Sequence, residues 1–274
     1  MSMAYVITTI QEPTPGVTAI AQEASLGEAQ VVVVGDRKSP ETWSLSEVNY
    51  LSLADQGALP FSLSQVLPEN SYTRKMLGYL AAAQVGADWI RETDDDNSPY
   101  ASFFELVPSS VLCRVPADQS GWVNIYAHFT SRHVWPRGFP LSLVNAGTSW
   151  APETSRQTVN GPFILQAVAD GDPDVDAIYR LTAADTSDIK FDAAEPLVLP
   201  EGSWTPFNSQ ATTWPRDLFP LMYLPVTCSF RMTDIWRSFV AQRLLPGLGA
   251  SLVVTAATVH QDRNVHKFLA DIAQ

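Results

Sequence analysis

Ala87-Asp88-Trp89-Ile90-Arg91-Glu92-Thr93-Asp94-Asp95-Asp96-Asn97 is the stretch on which the reading of this chain turns. Trp89-Ile90 opens a short apolar segment that reads as a strand, and three adjacent aspartates stand at its C-terminal end. Neighbouring carboxylates repel and raise one another's pKa. A divalent cation removes that cost, and an oxygen-only ligand set suits Mg²⁺ or Mn²⁺. In open α/β sheets, ligands bind in the crevice outside the carboxyl ends of the strands. An acidic run taken alone reads as a solvated loop. Behind a strand it reads as a binding site.

Working outward, the first hundred residues alternate strand and helix signals. Tyr5-Val6-Ile7-Thr8-Thr9-Ile10 is a β-branched run closed by Glu12-Pro13-Thr14-Pro15-Gly16, and Val17 to Glu23 reads as a weak helix. Val31-Val32-Val33-Val34 is a continuous apolar strand stopped by Gly35-Asp36; such runs suit parallel strands buried on both faces. Val48 to Leu53 reads as a third short strand. Pro68-Glu69-Asn70-Ser71 opens a helix with Asn70 or Ser71 as cap. Leu77, Leu80, Ala81 and Gln84-Val85 follow at helical spacing, with Gly86 as C-cap. This β-α-β order predicts a parallel sheet.

Beyond residue 100 the pattern loosens into mixed strands and long loops rich in Pro, Gly, Trp and Asn. Near the end, Thr233 is expected to cap a helix with Ile235, Trp236, Phe239, Val240 and Leu244 as its apolar stripe, ended by Pro246-Gly247. The expected organisation is one α/β domain over 1–274, with a nucleotide-binding half at 1–100 and an acceptor and sugar half at 101–274.

With 46% hydrophobic residues in 274, the chain has material for a sizeable core. Its net charge of -12 excludes the basic footprint that nucleic-acid binding needs and disfavours anionic membrane surfaces. Cys113 and Cys228 show no metal-like spacing and read as free thiols of a reducing compartment. No signal peptide is apparent, and Leu244 to Val259 is too short and too broken to span a bilayer, so a cytoplasmic protein without a transmembrane segment is expected.

The β-α-β half, the acidic strand end and the basic pair on the preceding helix together predict a nucleoside-diphosphate site. Asp94 and Asp96 flank the metal, Mn²⁺ or Mg²⁺, with Asp95 between them. Arg74 and Lys75 face the diphosphate. Thr8 and Thr9, ending the first strand, join this set, and Asp36-Arg37 after the second strand offers a partner for ribose or base. No Gly-x-Gly-x-x-Gly and no P-loop occurs. Asp172, Asp174 and Asp176, in Gly171-Asp172-Pro173-Asp174-Val175-Asp176, are candidates to hold sugar hydroxyls. Asp234, in the first turn of the late helix, is the candidate general base, with Arg231 and Arg237 beside it for an anionic acceptor or phosphate. His260, after a late apolar run, is placed in the metal's shell. No Gly-x-Ser-x-Gly or His-Glu-x-x-His motif supports a hydrolase or zinc protease.

These residues give the chain a family likeness. It resembles the glycosyltransferase-like domain of the plant STELLO proteins and is more distantly similar to the reversibly glycosylated polypeptides, which include the UDP-arabinopyranose mutases. The segments that carry the likeness are Val31 to Lys38, Pro68 to Lys75, Glu92 to Asn97, Trp135 to Pro140, Pro206 to Gln210, and Leu224-Pro225-Val226-Thr227 through Phe230 to Arg237. The resemblance implies a GT-A fold, a Rossmann-like sheet that holds a nucleotide sugar through a divalent metal at the aspartate loop. It assigns Asp94 to ribose or metal and Asp96 to the metal. Arg137, in Arg137-Gly138-Phe139-Pro140, matches an Arg-Gly-Tyr-Pro segment whose arginine is associated with reversible glycosylation. The mutase pattern continues Ser-Leu-Arg-Glu-Gly, whereas this chain reads Ser142-Leu143-Val144-Asn145. The implied activity is transfer of a sugar from a UDP-sugar to a carbohydrate or other hydroxyl acceptor. The alternatives are a nucleotide-sugar mutase and a non-catalytic nucleotide-sugar-binding scaffold.

Overall fold

The computed structural model describes residues 2–117, 121–145, 153–185 and 187–262. The apolar runs of the first half form strands β1 (Met3–Thr8), β2 (Gln30–Val34) and β4 (Trp89–Asp94), with the short β3 (Asn49–Leu51) at the edge. All four run parallel, in the order β3-β2-β1-β4. Alternation sends successive side chains to opposite faces. Ala4, Val6, Val32, Val34 and Ile90 pack on one face under α3 (Lys75–Gln84), while Tyr5, Ile7, Val31 and Val33 pack on the other under α1 (Pro15–Leu26). Covering both faces is what lets every residue of Val31-Val32-Val33-Val34 be apolar, as expected for a parallel strand.

Helix α3 lies unusually close to the sheet. A Cβ on Gly78 would sit 2.6 Å from Val6 Cγ1 and 2.7 Å from Val34 Cγ2, so only glycine permits this approach. Full burial of Leu77 on this helix contributes about 1.5–3 kcal/mol. The C-cap of α3 is Val85, and the expected Gly86 follows it with a φ of +90°. At the other end, Ser71 caps a 3₁₀ turn (Tyr72–Arg74) that runs into α3, while Asn70 takes the left-handed conformation before it. The run expected as a third strand to Leu53 is shorter. Ser52 leaves it to form a capping box with Asp55 at the start of α2 (Leu53–Ala58).

The second half extends the same sheet. Strands β5 (Asn97–Pro99), β6 (Ser110–Pro116), β7 (Glu153–Asn160), β8 (Phe163–Gly171), β9 (Leu197–Val198), β10 (Ala211–Pro215) and β11 (Ser251–Gln261) complete an 11-stranded mixed sheet. β10 lies antiparallel between β4 and β8, β11 runs parallel to β8, and β5 pairs with β11. This is the GT-A type of α/β architecture, a Rossmann-like parallel half continued by a mixed one. The short α4 (Ala177–Thr182) follows β8. No helix among the described residues is long and apolar enough to cross a membrane.

Helix α5 (Thr233–Leu244) departs from expectation in two ways. Thr233 does not cap it; its hydroxyl donates to Ser229 O. Its expected apolar stripe faces the core only in part: Ile235 is buried and Phe239 half-buried, but Leu244 is exposed. Trp236 and Val240 are 50% and 56% exposed, whereas Asp234, Arg237, Ser238 and Gln242 are buried. The polar face turns inward because buried charges of other elements meet partners on it: Glu92 pairs with Arg237, and Arg137 pairs with Asp234.

Candidate active site

The parallel strands end level with one another: Thr8 lies beside Val34 on one side and Asp94 on the other. Above these ends opens a cleft of about 530 Å³, a size suited to a small-molecule ligand. Thr8, Thr9, Asp36, Arg74, Asp94, Asp95, Asp96, Arg137, Asp174, Arg231 and Asp234 all line it. Residues from both halves of the sequence therefore meet in one place.

Each acid of the triplet has its own holder. Asp94 Oδ1 accepts from Tyr72 Oη at 2.7 Å and Lys75 Nζ at 2.9 Å. Asp95 Oδ2 accepts from Thr9 Oγ1 at 2.7 Å, and burial pushes the Asp95 pKa up against that bond, with Asp94 adding to the rise. Asp96 Oδ2 accepts from Gln261 Nε2 at 3.1 Å. The turn itself is anchored by Thr14 Oγ1, which donates to Asp95 O, and by β5 pairing with the end of β11.

A second group gathers around Arg137. Its Nε and Nη2 donate to Asp174 at 2.8 and 2.7 Å, and Nη2 also reaches both oxygens of Asp234 at 3.1 Å. Burial alone would lower the Arg137 pKa, but the two carboxylates outweigh it and hold it above the ordinary arginine value. For Asp234, burial raises the pKa, Arg137 opposes and Asp174 adds, and the net direction is upward. Arg137 Nη1 is buried with no hydrogen bond among the described residues, beside a cavity of about 10 Å³, the size of a single water.

Several expected site residues are committed elsewhere. Asp36 lines the cleft, yet its carboxylate accepts the backbone N–H groups of Arg37, Asn70 and Ser71 at 2.7–2.8 Å and so staples two loops together. Arg37 points outward to Glu69. Arg74 is buried, donating to Gln56 Oε1 and Leu67 O. The Lys75 side chain is wholly buried, and besides Asp94 its Nζ donates to Thr93 O and Ser209 O. Arg237 lies in the core against Glu92, at 2.8 Å, with both side chains fully buried. Asp172 pairs with Arg180, and Asp176 caps α4 while accepting from Trp135 Nε1. His260 is outside the cleft; its Nδ1 lies 3.4 Å from Asp262. On a strand, neighbours face opposite ways, so the residue of β11 that meets Asp96 is Gln261.

Among the described residues no three His, Cys, Asp or Glu side chains converge as a ready-made metal cage. Mg²⁺ and Mn²⁺ need no such cage, since they can be held by one or two carboxylates with substrate phosphate and water completing the shell. Asp94 and Asp96, which both line the cleft, are the carboxylates that could hold such a cation. Reading the sequence residue by residue missed Tyr72, Asn208, Gln210, Phe230 and Gln261, all of which line the cleft. Neutral amides and aromatics carry no charge signal; Pro206 to Gln210 stood out only as a segment of family likeness.

Searches of family models return no match for this chain. Two curated proteins of Arabidopsis thaliana do match it. One, named "Probable glycosyltransferase STELLO2", is 36% identical over 256 residues, covering 87% of this chain and 33% of the relative. The other, "Probable glycosyltransferase STELLO1", is 33% identical over 259 residues, covering 85% and 32%. Over most of its own length the chain is STELLO-like. It spans about a third of the length of the curated relatives it matches. The matched share of this STELLO-like chain is large enough to take in residues from both the acid triplet and the Arg137 group.

Proposed function

We propose that this STELLO-like chain is a glycosyltransferase that moves a sugar from a nucleoside-diphosphate donor, a UDP-sugar, onto a hydroxyl acceptor. The observation that carries this reading is one cleft holding two differently equipped carboxylate groups, the strand-end acids Asp94 and Asp96 and the arginine-clamped acid Asp234. The names of the relatives support the same class of activity.

Asp94 and Asp96 would hold Mn²⁺ or Mg²⁺, which when bound neutralises charge on the departing diphosphate. Asp234 takes the proton of the acceptor hydroxyl as that oxygen bonds to the anomeric carbon. The bond from that carbon to the diphosphate oxygen breaks, and the nucleoside diphosphate leaves with the electron pair. Burial makes Asp234 more basic than an exposed aspartate, and two contacts from Arg137 fix its orientation. Arg137, clamped against Asp174 and Asp234, is a positioning group in this reading.

Calorimetry with UDP, with and without Mn²⁺, on wild type and Asp96→Ala tests the reading. Wild type is expected to bind UDP more tightly with Mn²⁺, and the variant to lose that increment. Equal UDP binding under all four conditions overturns the metal-site reading. Incubation of each UDP-sugar alone separates transfer from mutase chemistry, because only a mutase yields a ring isomer without acceptor.

A further inference from the structure

Three buried amides connect the two carboxylate groups. Gln261 Nε2 donates to Asp96 Oδ2 at 3.1 Å, Gln210 Nε2 donates to Gln261 Oε1, and Asn208 Nδ2 donates to Gln210 Oε1 at 3.2 Å. At the far end Asn208 Nδ2 also donates to Asp174 Oδ2 at 3.1 Å, the acid that Arg137 clamps. Asn208, Gln210 and Gln261 are 7%, 5% and 7% exposed.

The sense of every amide in this chain follows from one backbone group. The Gln210 N–H can only donate, and it bonds Asn208 Oδ1 at 3.1 Å. Asn208 must then turn its NH₂ toward Asp174 and Gln210. Gln210 in turn presents its NH₂ to Gln261 and to Asn97 Oδ1, the latter at 3.2 Å, and Gln261 is left with its NH₂ on Asp96. A reversed amide anywhere along the row would set oxygen against oxygen.

We infer that Gln210 and Gln261 are positioning residues for the cation at Asp96, holding that carboxylate by one oxygen and tying it through Asn208 to Asp174. Gln261 acts as a donor to Oδ2 of the carboxylate rather than as a ligand, while Oδ1 accepts from Asn97 Nδ2 at a longer 3.5 Å. Groups that orient a ligating carboxylate typically change metal affinity about 10–100-fold when removed. The inference rests on the metal-site reading proposed above.

Mn²⁺ affinity, followed by the electron paramagnetic resonance signal of the free ion, tests it on wild type, Gln210→Met, Gln261→Met, the double variant and His260→Ala, with folding checked by circular dichroism. Each single methionine variant is expected to bind Mn²⁺ about 10-fold more weakly. UDP binding without metal stays unchanged. The double variant loses no more than one single, because both amides act in series, and His260→Ala matches wild type. Additive losses, unchanged affinity in whichever methionine variant folds, or a loss on His260→Ala overturn the inference while leaving the metal site standing. A wild type that binds no Mn²⁺ overturns both.

Discussion

Lys75 Nζ and Asp94 Oδ1 lie 2.9 Å apart, and the lysine side chain has no exposure at all. The lysine therefore serves the carboxylate and the carbonyls of Thr93 and Ser209, and does not reach out to a ligand. Removing one partner of such a pair leaves an uncompensated charge. Lys75→Met is expected to destabilise the fold by about 3 kcal/mol in urea unfolding. An exposed, ligand-facing lysine would change nucleotide affinity with little change in stability.

Arg237 and Glu92 make a second buried pair, with Tyr79 Oη and Trp214 Nε1 also donating to the glutamate. Arg237→Met alone is expected to cost about 3–5 kcal/mol. The Glu92→Met/Arg237→Met double variant should be less destabilised than Arg237→Met, because it buries no orphan charge. Denaturant midpoints of the two variants check this. A double variant weaker than the single contradicts the pairing account.

Asp234 carries a pH signature. An acid with a raised pKa is ionised only above that raised value, so transfer that uses it as base falls as pH drops through a point above the ordinary aspartate range. Asp174 raises that point and Arg137 lowers it. Asp174→Asn should therefore move the acid limb of kcat/KM to lower pH, and Arg137→Met should move it higher. Asp234→Asn should reduce transfer about 10²–10⁴-fold while leaving UDP binding intact. A pH profile unmoved by either neighbour would remove Asp234 from the role.

Asp36 organises the cleft wall through its own carboxylate, which accepts three backbone N–H groups. Hydrogen bonds to a charged group contribute about 1.5–3 kcal/mol each at most. Asp36→Ala should lower stability by roughly 2 kcal/mol and loosen the Asn70-Ser71 loop, seen as faster amide exchange there. A direct ribose contact would instead appear as weaker UDP binding with the loop unchanged.

The parallel half was legible because its signals are local. Val31 to Val34 can only be that apolar if both faces are covered, and the triplet after Trp89-Ile90 can only be tolerated at an edge. Charge also marked Asp94, Asp96, Asp174 and Asp234, and the family likeness marked Arg137; the fold brings all five to one cleft. The partner of each charge was not legible. Arg237 meets Glu92 from 145 positions away, across a strand order no local pattern encodes. The same distance effect misled the reading of α5, whose apolar stripe is plain in the sequence but whose buried side was set by Glu92 and Arg137 of other elements.

By itself, then, the sequence determined the alternating strands, their buried faces and the acidic strand end, because propensity and periodicity act over a few residues. Tertiary structure alone decided which arginines and lysines neutralise buried acids and which side of β11 faces Asp96, placing Gln261 there and His260 outside. Those choices follow from the low dielectric of the interior, where a charge must take whichever partner the fold sets beside it.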